Sequence, residues 1–329
     1  MLKIAFVGCA HIHTPGFIRM LGERKDIEVA GVWDHDKARA AKNAEATHSQ
    51  VLPLETILED SSITTVIICS ETNLHGELIA KTAAAKKHTY AEKPLGFSSK
   101  DALETAKLLN QAGVLFSTGY FQRGLPQNLF IRQLIQKGTL GTITRARYSN
   151  CHAGSLGQWF DTDWRWMADP TIAGCGAFGD MGTHALDILM WWFGKPARVT
   201  SDIKVVTGHY GNCDESGEAL LVFPNGLTAT MAAAWVDLQD PMQSFVSGTK
   251  GFVSVIGNNV YLKCEGIKGA DGITPYTKLP DKQPHAFNQF LDAAMGKPAS
   301  LITPDEAAQR SVVMEAIYQA NEQRKWVEL

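Results

Sequence analysis

Residues 6–17 read FVGCAHIHTPGF. An apolar run from Lys3 to Val7 stops at Gly8, and a His-x-His follows at His11 and His13. Two enzyme folds begin this way. A dinucleotide-binding fold puts its phosphate loop directly after the first strand. A metal-dependent hydrolase built on a barrel puts two ligating histidines there. The stretch alone leaves both open.

The next hundred residues narrow the choice. Lys3–Val7, Ile27–Trp33, Ile63–Cys69, Thr89–Glu92 and Val114–Gly119 are apolar and rich in β-branched residues, as buried strands are. Between them lie helical stretches: Pro15–Glu23, with Thr14 as N-cap and Pro15 first in the helix, then His35–Glu45, Leu54–Leu58, Leu74–Ala85 and Ser99–Asn110. Strict alternation implies parallel strands joined by crossover helices, in a doubly wound sheet or a barrel. A barrel repeats its unit eight times. This chain stops after about five and changes rhythm near residue 125.

Beyond that point a helix (Gln127–Gln136) precedes a long strand, Ile143–Cys151. A Trp- and Gly-rich loop leads to a helix from Asp180 to Phe193. The turns at Pro224-Asn225-Gly226 and Gly248-Thr249-Lys250-Gly251 then mark hairpins. Ala219–Phe223 should pair antiparallel with Leu227–Trp235, with Gln243–Ser247 and Phe252–Ile256 beside them. Helices near His285–Met295 and Asp305–Gln323 close the chain. The expected fold is α/β: an N-terminal doubly wound Rossmann domain over 1–123, then an α+β domain over 124–329 with a large, mostly antiparallel sheet.

Composition excludes several partners. Of 329 residues, 45% are hydrophobic and 20% charged, and the net charge is −3 with no basic block, so nucleic acid and anionic membranes are not expected. The apolar N-terminus is too short for a signal peptide and no run reaches the length of a membrane span, which points to the cytoplasm. Cysteines 9, 69, 151, 175, 213 and 264 form no C-x-x-C and read as buried, reduced thiols.

Three places carry chemistry. Against the G-x-G-x-x-G fingerprint the loop offers Gly8, Ala10 and His13, so only the first glycine is kept. Gly8 and Ala10 are expected to face a pyrophosphate, with His11, Ile12 and His13 in the loop beside it. Asp34 ends the second strand, 26 positions after Gly8, where a carboxylate can accept from an adenosine ribose. Such a carboxylate favours NAD, while Lys37 and Arg39 keep NADP open. No histidine stands at the later strand ends, which offer Ser70, Glu92-Lys93 and Tyr120, so no metal is expected. Lys93 exits a parallel strand where such sheets bind ligands. In GCGAFGDMGTHALD (174–187), Asp180 and His184 are i, i+4, and a carboxylate beside an imidazole raises its basicity. A helix-capping aspartate and an unrelated core histidine are the plain alternative.

The Glu92-Lys93-Pro94 triplet, together with Gly176, Asp180, Gly182, His184 and Asp187, resembles the Gfo/Idh/MocA family of glucose–fructose oxidoreductases and inositol dehydrogenases. The resemblance runs through nearly the whole chain and includes TNLHGEL at Thr72–Leu78, GYFQR at Gly119–Arg123, and Trp164-Arg165. It implies a cytoplasmic NAD(P)-dependent oxidoreductase of sugars, cyclitols or related polyols, forming a homodimer or homotetramer through its C-terminal sheet. It also implies roles. Lys93 would bind the reacting hydroxyl, His184 would be the acid/base, and Asp180 the acid beside it. Glu92, Ser70, Thr72, Asn73, His75 and Gln122 would line the cofactor. Tyr120, Arg123, Trp164 and Arg165 would border the substrate. Within the same resemblance stand two rivals, a dinucleotide-binding regulator without catalysis and an NAD-dependent glycosidase. The metal-dependent hydrolase is the remote third.

Overall fold

A computed structural model describes residues 1–329. The first half runs β1 (Leu2–Cys9), α1 (Thr14–Gly22), β2 (Ile27–Trp33), α2 (Lys37–Ala46), β3 (Gln50–Val51), α3 (Leu54–Glu59), β4 (Thr65–Cys69), α4 (His75–Ala84), β5 (His88–Ala91), α5 (Ser99–Ala112) and β6 (Phe116–Thr118). The second runs α6 (Pro126–Gln136), β7 (Ile143–Cys151), α7 (Pro170–Ala173), α8 (Ala177–Phe193), β8 (Arg198–Lys204), β9 (Ser216–Val222), β10 (Thr228–Ala234), β11 (Met242–Gly248), β12 (Gly251–Ile256), β13 (Asn259–Cys264), α9 (Ala286–Ala294), α10 (Pro304–Gln323) and β14 (Val327–Glu328).

The chain divides into two compact units. The first holds Met1–Tyr120, Asp161–Gly174 and Pro284–Val312. Its six strands are ordered β3-β2-β1-β4-β5-β6, all paired parallel. This is the doubly wound order whose ligand crevice opens where β1 and β4 diverge. The central strands β1 and β4 are buried on both faces, as crossover helices require. Two later segments join this unit, where the sequence suggested one boundary near 123. Their reason is packing at long sequence separation. Phe287 and Phe290 of α9 are fully buried beside Phe17 and Tyr90, with the Phe17 and Phe287 rings stacked at 4.5 Å. Gly174 lies so near Phe97 that a Cβ there would come within 3.0 Å of its carbonyl oxygen.

The second unit holds Phe121–Phe160, Cys175–Gln283 and Val313–Leu329. Its eight-stranded sheet runs β13-β12-β11-β7-β10-β9-β8-β14. The β9–β10 hairpin forms as expected, pairing Leu221 with Ala229. The β11–β12 hairpin does not lie beside β10. β7 is inserted between them, parallel to β10 and antiparallel to β11. Nothing local in the sequence announces a parallel partner 80 or so residues away, because pairing across a sheet is decided by which faces can be buried. Helix α8 packs on this sheet, and Phe178, Leu186, Ile188 and Leu189 sit in the main core.

Local expectations shift slightly at helix ends. Helix α1 starts at Thr14 with His13 as N-cap, so Thr14 is inside the helix and not its cap. His13 makes no side-chain capping bond; Pro15 supplies the preset backbone angle instead.

One buried acid braces the second unit. Glu215 is fully buried and accepts from the N–H groups of Val206, Thr207 and Gly208 and from the hydroxyls of Thr207 and Ser155. Burial alone would raise its pKa; the converging donors win and hold it near about 2. Its ionised form therefore stabilises the fold above pH ~4.5, and that contribution is lost as pH falls towards ~2. Wild type should be more stable than Glu215→Gln to urea at neutral pH. The gap should shrink across that acid window; a gap that is constant with pH would refute this account.

Candidate active site

The loop after β1 is held by close backbone approach. Gly8 has φ +86°, and a Cβ there would lie 2.6 Å from Cβ of Ser70. Only glycine fits both demands. The N–H of His11 donates to the carbonyl of Cys69 at the end of β4 (2.9 Å). Trp166 donates its indole N–H to the carbonyl of Ala10 at 3.1 Å, which fixes the other side of the loop.

Behind the loop lies Glu92, just past β5 and fully buried. Its carboxylate meets His13 Nδ1 at 3.1 Å and stands 3.9 Å from His11 Nε2. It also accepts from the N–H of Lys93 at 3.1 Å. Gly119 makes room for it, since a Cβ there would lie 3.0 Å from Glu92 Oε2. Burial pushes the carboxyl pKa up, but the imidazoles of His11 and His13 and the charge of Lys93 hold it well below the usual range. The sequence had separated these residues by about eighty positions; the parallel sheet brings His11, His13 and Glu92 within 4.8 Å of one another.

At the end of β2, Asp34 is engaged within the protein. Oδ2 accepts from Cys9 N–H and Arg39 Nε, and Oδ1 from Asp36 N–H and Arg39 Nη2, all at 2.7–2.9 Å. A ribose hydroxyl must therefore share or displace one of these donors. Arg39 also donates to Glu71 at 2.8 Å, and His35 lies 3.1 Å from the same carboxylate. The spacing that marked Asp34 gave no sign of the Arg39–Glu71 bridge.

The loop after β4 carries Ser70, Thr72, Asn73 and His75. Ser70 and Thr72 are buried and Asn73 is exposed. His75 is fully buried, with Nδ1 2.9 Å from the carbonyl of Pro94 and Nε2 3.3 Å from that of Ser70. Burial lowers its pKa, and a neutral ring, with one N–H, donates to only one of these two carbonyls. Lys93 and Tyr120 are buried, while Trp164 is half-buried and Arg165 exposed.

In the second unit the central feature is α8. Gly176 cannot cap it with a side chain, so Asp214 does so from outside: its carboxylate accepts from the N–H groups of Phe178 (2.7 Å) and Gly176 (3.1 Å), and its carbonyl from Ala177. The Tyr318 hydroxyl donates to Asp214 (2.9 Å) and accepts from the N–H of Gly179. A Cβ at Gly176 would strike Asp214, and one at Gly179 would strike Cys175. The glycine pattern of 174–187 is thus a docking requirement. Asp180 and His184 follow on adjacent turns of α8. The indole of Trp235, fully buried, donates to Asp180 at 3.1 Å, and Phe121 packs edge-on against His184. No local signal in the sequence pointed to Asp214, Tyr318 or Trp235.

Arg123 and Gln122 have clear partners in this unit. Arg123 holds Asp187 in a two-bond clamp at 2.8 and 2.6 Å. Gln122 accepts from Tyr148 (2.9 Å) and donates to Asn150 (3.3 Å).

Removing the external cap should loosen α8. Asp214→Ala is expected to cost about 1–2 kcal/mol of stability, the usual worth of a capping acceptor, and Asp214→Asn less, because the amide oxygen still accepts. Thermal melts of the three proteins test this. Equal melting temperatures would remove Asp214 from the role.

Known proteins resemble this chain across both units. A family model described as "Oxidoreductase family, NAD-binding Rossmann fold" matches residues 2–120, and one described as "GFO/IDH/MocA C-terminal domain" matches 129–254. Oxidoreductase P35 of Formosa agariphila is 22% identical over 67% of this chain and 68% of its own length. Myo-inositol 2-dehydrogenase of Thermotoga maritima is 29% identical over 43% of this chain and 42% of its own. The chain spans about half the length, or less, of several curated relatives it matches. Among solved structures, a levoglucosan dehydrogenase in complex with NADH and levoglucosan superposes with TM-score 0.81 at 18% identity, covering 99% of each chain. The aldose-aldose oxidoreductase of Caulobacter crescentus gives 0.81 at 21% identity, covering 100% of this chain and 99% of that one. The parallel sheet ordered 3-2-1-4-5-6, the glycine-stopped loop after β1 and the matched models agree: the chain belongs to the Gfo/Idh/MocA family of oxidoreductases and carries its NAD-binding Rossmann domain.

Proposed function

We propose that the protein is an NAD(P)-dependent dehydrogenase/reductase acting on a secondary hydroxyl or carbonyl of a sugar, cyclitol or related polyol. The observation that supports this reading is that Lys93 follows the end of β5 while Asp180 and His184 share one face of α8, in the motifs by which the chain resembles its family. Levoglucosan and myo-inositol dehydrogenases among its relatives support the substrate class.

The nicotinamide, when bound, supplies the two-electron exchange. The chain's residues handle the proton and the charge. In the oxidative direction His184 takes the hydroxyl proton while the carbinol carbon gives up hydride, a task for which imidazole is the commonest side chain. Lys93 donates to the substrate oxygen and stabilises the negative charge that develops there. Asp180, itself held by Trp235, orients the imidazole. Gly8, Ala10, Ile12 and the loop after β4 line the cofactor, and Trp164, Arg165 and Tyr120 border the substrate. Assembly into a homodimer or homotetramer through the eight-stranded sheet, and a cytoplasmic location, belong to the same reading; no helix is long and apolar enough to cross a membrane.

Lys93→Ala and His184→Ala should each lower kcat by roughly 10²–10⁴-fold while NAD still binds. NADH formation across a sugar and cyclitol panel measures the first, fluorescence titration the second. Full turnover in His184→Ala would end its acid/base role.

The cofactor's adenosine end is expected to favour NAD. Arg39 is shared between Asp34 and Glu71, so two carboxylates face one guanidinium and a 2′-phosphate meets net negative charge. NAD should bind at least ~10-fold tighter than NADP, about 1.4 kcal/mol. Asp34→Ser, which frees Arg39 from one partner, should narrow the gap. Calorimetry of both cofactors decides it, and tighter NADP binding by the wild type would refute it.

A further inference from the structure

The loop that should cradle a pyrophosphate has few amides to offer. The His11 N–H goes to Cys69, the His13 N–H to His11 Nδ1, and the Thr14 N–H to the carbonyl of His11. Residue 15 is proline and has no N–H. The glycines that normally bring backbone donors to the phosphates are replaced by Ala10 and His13. The N–H groups of Ala10 and Ile12 are the ones the loop leaves unengaged to meet two phosphate charges.

The His11–His13–Glu92 cluster is the only chemistry the loop adds beside them. Two imidazoles and a carboxylate within 4.8 Å form the donor set of a zinc site. The hydrogen-bond polarity argues otherwise. His11 Nδ1 accepts the N–H of His13 at 3.2 Å, so a neutral ring carries its proton on Nε2, the nitrogen that faces Glu92. A metal-bound imidazole needs its lone pair at that nitrogen and donates through the other one. His11 is wired the opposite way, as a donor towards Glu92.

His13 differs. Glu92 is held ionised, and an ionised carboxylate only accepts, so the 3.1 Å contact puts a proton on His13 Nδ1. The side chain is 39% exposed, and the protein gives Nε2 no partner. The groups around the ring are the Glu92 carboxylate, His11 at a centroid distance of 4.6 Å, and the edge of Phe17. Lys93 adds its charge through Glu92.

We propose that His13, oriented by Glu92, is a direct ligand of the cofactor's pyrophosphate, binding it through a protonated Nε2 beside the few amides the loop leaves unengaged. Glu92 then acts as a positioning residue for the phosphate loop. The proposal rests on the NAD-binding assignment and is independent of hydride transfer.

The test measures binding alone. NAD, ADP-ribose and adenosine are titrated into the full chain by calorimetry, with His13→Ala, His13→Gln and Glu92→Gln checked for intact folding by circular dichroism and melting temperature. Loss of a charge-assisted bond should weaken NAD and ADP-ribose by roughly 10- to 100-fold in His13→Ala, with adenosine unchanged. Glu92→Gln should weaken the same two ligands while keeping His13 in place. Unchanged NAD affinity in folded His13→Ala overturns the proposal, and so does an equal loss for adenosine. Zinc bound one per chain by the wild type and lost in His13→Ala would also overturn it, in favour of a metal centre. Failure of the wild type to bind NAD at all would strike the cofactor assignment as well; a normal wild type with normal variants strikes only the role of His13.

Discussion

A single buried carboxylate organises the ligand end of the parallel sheet. Glu92 has no exposed surface, yet it stays ionised because two imidazoles and a backbone N–H converge on it. Burying an unpaired carboxylate is costly, so each of those donors is an obligation of the fold. The loop after β1 must bring His11 and His13 to it. The chain must turn at Lys93 so that its N–H points back. Residue 119 must lack a Cβ so that the carboxylate has room. The phosphate loop, the lysine and the end of β6 are thus coupled through one side chain.

The second unit solves a comparable problem with a different device. Helix α8 begins in glycines that cannot cap it, and its first amides are answered by Asp214 and Tyr318, which arrive from β9's approach and from α10. The absence of side chains at Gly176 and Gly179 is what lets these partners come close. Asp180 and His184 inherit their positions from that arrangement. Burial pushes the Asp214 carboxyl pKa up despite its donors, so the cap is a tightly enclosed one.

Much of this was legible in order and type. The alternation of apolar β-branched runs with helical stretches left a doubly wound sheet or a barrel, the change of rhythm near residue 125 counted against the barrel, and the turn signals identified the hairpins, because local periodicity reports burial. Asp34 and Lys93 were singled out by their places just past strands, and Asp180 and His184 by their i, i+4 spacing, which the structure puts on one helix. The insertion of β7 between β10 and β11 was not readable, nor was the return of 161–174 and 284–312 to the first unit. Both depend on contacts between segments far apart in the chain, for which one sequence carries no pairwise signal.

The partners of the site residues follow the same division. By itself the sequence carried the motifs by which it resembles its family, the alternation of a doubly wound domain and the residue types at the ends of its apolar runs, since these rest on short motifs and local periodicity. Only the tertiary structure decided what those residues touch: Arg39 and Cys9 on Asp34, Asp187 on Arg123, Trp235 on Asp180, and Glu92 on the histidines of the opening loop. FVGCAHIHTPGF could be read as a phosphate loop or a metal loop because the deciding group, Glu92, lies 79 residues away in sequence and one hydrogen bond away in space.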